Sequence, residues 1–140
     1  MTYASQQNLI DRFGERELIQ LTDRAEPPTG AINSAVVGQA LADADDLINS
    51  YVRKRYELPF ATTPPALVRT AGDIARFYLH DERMVETVKE NYEKALAFLK
   101  DIAAGRAELD VAGKEPAPVT DKAEVTGPAR VFSRDKMKGY

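Results

Sequence analysis

The chain holds one histidine, no cysteine and three aspartates within four positions, and chemistry would be sought at these residues first. As a general base, His80 needs a group to orient its ring and a nucleophile within reach, and no such pair is identifiable. At the end of a helical stretch it suits the negative C-terminal dipole instead. Asp43, Asp45 and Asp46 carry enough charge for a divalent cation. They lack the loop spacing and the glycine of a calcium loop, so they read as a solvated helix face. Arg53, Arg55, Arg69 and Arg76 could gather around an anionic metabolite between helices. Arginines that lay their stems along a helix surface are the ordinary reading. No phosphate loop, dinucleotide fingerprint or serine elbow occurs. The expectation is no catalytic residue, no cofactor and no metal ligand.

A different kind of site is legible near the C-terminus. Val131, Phe132, Met137 and Tyr140 sit among Arg130, Arg134, Lys136 and Lys138. Apolar anchors ringed by cations suit docking on another chain. The string ARVFS has β-like character, so Val131 and Phe132 can add an edge strand to a partner. Arg130, Val131, Phe132, Arg134, Met137 and Tyr140 form the expected interface.

The elements that would position these residues are helical. In Asn33–Arg55, Val37, Leu41, Ala44, Ile48 and Tyr51 fall on one helical face, and Asn33 or Ser34 can cap its start. Such a helix spans roughly 33 Å and needs other apolar faces to cover it. Ser5 can cap a short helix over Gln6–Phe13, stopped by Gly14 in the left-handed conformation, and a second short one covers Glu15–Leu21. The loop from Thr22 to Gly30 has two prolines. Pro59, Pro64 and Pro65 break the chain after Arg55, while Tyr56, Leu58 and Phe60 pin that loop to the body. A broad apolar arc makes Pro65–His80 the central helix, and Ala71, Gly72 and Ala75 permit close approach. Met84–Ala104 has the clearest period, an outer Glu90–Lys94 pair, and Gly105 as its stop. Leu41, Ile48, Leu67, Ile74, Leu96 and Leu99 are the expected core. The fold class is all-α: three longer helices and short N-terminal ones over 1–105, then an extended arm over 106–140, ordered on assembly.

Composition sets the outer limits. The 140 residues suit one domain, and 44% hydrophobic with 29% charged residues is ordinary for a soluble protein. No apolar run approaches a membrane span, and the first residues lack a signal peptide's pattern. Absence of cysteine excludes disulfides and fits the cytosol. Residues 1–105 carry 12 basic and 16 acidic side chains, and 106–140 carry 7 and 6, so the body is acidic and the tail slightly basic. An acidic body disfavours tight DNA binding. A helix-turn-helix reader is disfavoured too, because the break between the central helices is too long and proline-rich for its turn.

Four strings in the body, YASQQNLIDRFGERELIQLTD, ALADADDLINSYVRKRYELP, PPALVRTAGDIARFYLH and EKALAFLKDIAAGR, resemble the phage Mu-like head–tail adaptor family. RVFSRDKMKGY resembles that family's C-terminal signature. The resemblance implies a structural connector in the virion neck, present in host cytoplasm during assembly. It implies a ring, typically of twelve subunits, below the portal protein. The ring extends the DNA channel, passes duplex DNA without sequence-specific binding, and seats the next neck or tail-completion protein. It implies no catalytic residue and no membrane partner. Two function classes stay open: a ring-forming connector, and a small helical DNA-binding or anion-binding enzymatic domain.

Overall fold

The computed structural model describes residues 2–81 and 84–110. Among these the chain forms five α-helices and no strand: α1 Gln6–Phe13, α2 Glu15–Thr22, α3 Ser34–Val52, α4 Pro65–His80 and α5 Glu86–Ala104. The all-α expectation holds. The expected interface residues, Arg130 through Tyr140, lie outside the described residues, as does most of the arm.

Local chemistry sets the helix ends. The Ser5 side chain accepts from the Asn8 N–H, and Asn8 returns the bond to the Ser5 N–H at 2.8 Å, a reciprocal cap. Gly14 joins α1 to α2 at φ 95° and ψ 144°. That is not the left-handed helical cap expected; it is an extended positive-φ conformation essentially reserved for glycine. Asn33 caps α3 by accepting from the Ala35 and Val36 N–H groups. Replacing Asn33 with alanine should cost about 1 kcal/mol, read as a lower urea midpoint at constant slope.

Three helix bounds differ from the sequence expectation, the smallest being α2, which runs on to Thr22. After Val52 the backbone tightens, with Lys54 N–H reaching the Tyr51 carbonyl and Arg55 N–H the Val52 carbonyl. This three-residue winding ends α3 before Arg55. Val85 is extended, so α5 begins at Glu86 and leaves Met84 and Val85 exposed.

Helix α4 is the centre of the molecule. It packs against α3, α5, α1 and α2. Leu67, Ala71, Ile74 and Ala75 on it are fully buried. Gly72 serves α1: a Cβ there would stand 2.7 Å from an Arg12 guanidinium nitrogen and 3.6 Å from Leu9. Of the six expected core residues, Leu41, Ile48, Leu67, Ile74 and Leu99 are buried. Leu96 is not; it is half-buried. Val88, Ala95, Leu99 and Ile102 hold the centre of the inward face of α5, and Leu96 sits one residue, about 100°, around from Ala95.

Loops are tied by single side chains. Buried Thr22 donates its hydroxyl to the Leu18 carbonyl and accepts from the Asn33 N–H, joining the end of α2 to the start of α3. The Asp23 carboxylate accepts from the Thr29 and Gly30 N–H groups, which hold its pKa below the ordinary value.

Candidate functional site

Asp45 is buried, against the expectation of a solvated face. Its carboxylate accepts the Tyr3 N–H at 3.0 Å, one turn before Asn49 accepts the Tyr3 hydroxyl. The chain before α1 is thereby strapped along α3. Burial raises the pKa of Asp45, and burial followed by the Asp45 charge pushes Tyr3 up to about 12. Asp43 and Asp46 are exposed, so the three aspartates do not converge. Among the described residues no cluster of three metal-ligating side chains exists.

The Tyr3 ring meets Phe60 edge-on at 6.3 Å, and Phe60 meets Tyr56 at 5.9 Å. The Tyr56 hydroxyl accepts the Leu109 N–H at 2.8 Å, and Leu109 is buried. Residues 106–110 therefore continue past the Gly105 cap onto the body, where Ala107 and Leu109 pack on the core. This corner holds the last described residues, 106–110, on the body. The sequence reading found Tyr56 and Phe60 but missed Tyr3 and Leu109. The alternation of Ala107 and Leu109 just after a helix-ending glycine was the available signal.

A second cluster clamps the short helices. Two guanidinium groups lie over the Phe13 ring, Arg12 at 4.6 Å and Arg76 at 4.2 Å from its centroid. Arg76 makes a two-pronged bond to Glu17 at 2.8 and 2.9 Å, and Arg12 pairs with Asp73 at 2.9 Å. The four arginines singled out in the sequence do not gather. Arg76 faces α2, the Arg53 Nε donates to the Asn49 carbonyl, and Arg69 is exposed. His80 is buried, and its Nδ1 stands 3.0 Å from the Arg76 carbonyl, so that nitrogen carries the proton and donates.

Two shallow grooves open on α4. One lies between α1, α4 and α5 and is lined by Arg12, Arg69, Asp73, Asn91, Lys94 and Phe98 among others. The expected Glu90–Lys94 ion pair is not formed, so Lys94 faces this groove without one. The other groove lies between α3 and the C-terminal end of α4, lined by Arg24, Val36, Gln39, Asp43, Tyr78 and Asp81 among others. Among the described residues no helix is long and apolar enough to cross a membrane. The arrangement is a set of surfaces and anchors.

Known proteins give these surfaces a context. A family model described as Bacteriophage Mu, Gp36 matches residues 3–126. The Mu-like prophage FluMu protein gp36 of Haemophilus influenzae is 30% identical over 139 residues, 99% of this chain and 97% of that protein. Gene product J of Escherichia phage Mu is 32% identical over 142 residues, 100% of this chain and 99% of that protein.

Proposed function

The chain belongs to the bacteriophage Mu Gp36 family, and from that premise we propose that it is a structural connector of the virion neck. Copies associate into a ring below the portal protein, line a channel for duplex DNA, and present a seat for the next neck or tail-completion protein. The observation that carries this reading is the family match, which spans the helical body and extends beyond it to residue 126.

The physical features are compatible with such a role. The body over residues 1–105 has 16 acidic against 12 basic side chains, so few cations are available to grip phosphates. DNA then slides without losing counterions to the wall. The Leu109–Tyr56 bond holds residues up to 110 on the body, and the sequence after them carries Arg130, Val131, Phe132, Arg134, Met137 and Tyr140 as the proposed contact to a neighbour.

Mass measurement of the chain with and without portal protein tests the reading. A ring-sized species on the portal is expected. A chain that remains a separate monomer beside portal, in particles otherwise complete, would refute it. Deleting residues 128–140 should leave helix content and melting temperature nearly unchanged while blocking ring or portal assembly. If the truncated chain still yields complete infectious particles, the contact lies elsewhere.

A further inference from the structure

The two grooves on α4 differ in charge and lie on opposite sides of that helix. At about 100° per residue, Ala66, Arg69, Thr70 and Asp73 cluster on one side, and Tyr78 with Leu79 centres roughly 180° away. Between these directions α4 is covered by α3 and α5 on one flank and by α1 and α2 on the other. The first groove has three cations, Arg12, Arg69 and Lys94, against one carboxylate, Asp73, which Arg12 already engages. The second groove has Asp43 and Asp81 against Arg24. Each has an apolar floor, Phe98 with Ala95 in the first and Val36 with Leu79 in the second. Apolar floors with charged rims are the usual anatomy of a protein interface.

We propose that the Arg69–Lys94 groove of one copy docks on the Asp43–Asp81 groove of the next copy of this chain. Two complementary surfaces on opposite sides of one rigid helix make a head-to-tail contact, the kind that propagates from copy to copy and generates rings. A self-complementary two-fold contact would instead bring like charges together at both grooves. The inference rests on the homo-oligomeric reading above and adds the surfaces that carry it. It commits to a second copy because both halves of the charge match are on this one chain.

Charge reversal on exposed residues tests it with the full chain. One variant carries Arg69→Glu and Lys94→Glu, the other Gln39→Lys and Asp43→Lys. All four positions are exposed, so helix content and melting temperature serve as controls for folding. Each variant alone should self-associate about a hundredfold more weakly than the unmodified chain in sedimentation at low salt. Mixed in equal amounts they should associate again, because alternation restores opposite charges at every contact. Self-association of the unmodified chain should also weaken from low to about 0.5 M salt, where screening shortens to a few ångströms. If the unmodified chain associates but either reversed variant associates as well alone, or salt leaves association unchanged, the groove assignment fails and the ring reading stands. If the mixture stays dissociated, the pairing of these two grooves fails. An unmodified chain that is monomeric at every concentration and salt overturns the groove pairing, while the ring reading is decided separately by the mass measured with portal protein.

Discussion

Ile74→Ala should destabilise the body by about 2–5 kcal/mol, a large share of the stability of a domain this size. Ile74 is fully buried on α4, the helix that every other helix touches. Its removal leaves a void in a helix whose neighbouring Leu67, Ala71 and Ala75 are themselves fully buried, and which α3 and α5 both pack against. The companion change Leu96→Ala removes a side chain of similar size from the flank of α5, where Leu96 is only half-buried. That loss should be about 1 kcal/mol. Urea denaturation of the two variants, compared at equal slope, gives the contrast directly. Equal losses would mean that Leu96 is covered as completely as Ile74.

The Leu96 case shows how far the sequence could be read. Helical periodicity placed α1 and α4 and offered Asn33, with Ser34 as the alternative, and Gly105 as caps, because caps and stripes are local. Choosing between two adjacent stripes of α5 needs the approach direction of α3 and α4, which is not local. The same limit explains Asp45. Its spacing beside Asp43 and Asp46 reads as a charged outer face, and only the return of the N-terminal segment, 42 positions away, turns it inward. Arg12 and Phe13 were likewise unreadable as a clamp until α4 supplied Arg76 and Asp73. The candidate interface at Arg130–Tyr140 was read from composition and lies outside the described residues.

Asp45→Ala should cost about 1–3 kcal/mol, since the buried Tyr3 N–H would lose its acceptor. Asp45→Asn should behave in the opposite sense near neutral pH. The asparagine carbonyl still accepts the Tyr3 N–H, and no charge has to be buried. The sign follows from the raised pKa of Asp45 in the folded chain. Between the ordinary carboxylate value near 3.8 and the higher folded value, the folded state binds more protons than the unfolded one. Stability from this group is therefore greatest below that window and declines as pH rises through it. Asparagine removes the decline. Melting temperatures of the wild-type and Asn variants, followed upward from pH 4, should diverge in favour of Asn. A wild-type curve that instead rises relative to Asn over that range would mean the folded pKa lies below the ordinary value.

The corner where Tyr3, Phe60, Tyr56 and Leu109 meet also dictates how the protein can be handled. Both ends of the described body emerge there, Tyr3 buried on one side and Leu109 on the other. An affinity tag or fluorescent fusion placed ahead of Thr2 would crowd Leu109 on the body, and would strain the Asp45 strap if its linker were short. Labels belong elsewhere. The exposed turn at residues 24–30, closed on itself by Asp23, is a different element, and because its Arg24 lines the acidic groove a label there would report on contact between copies.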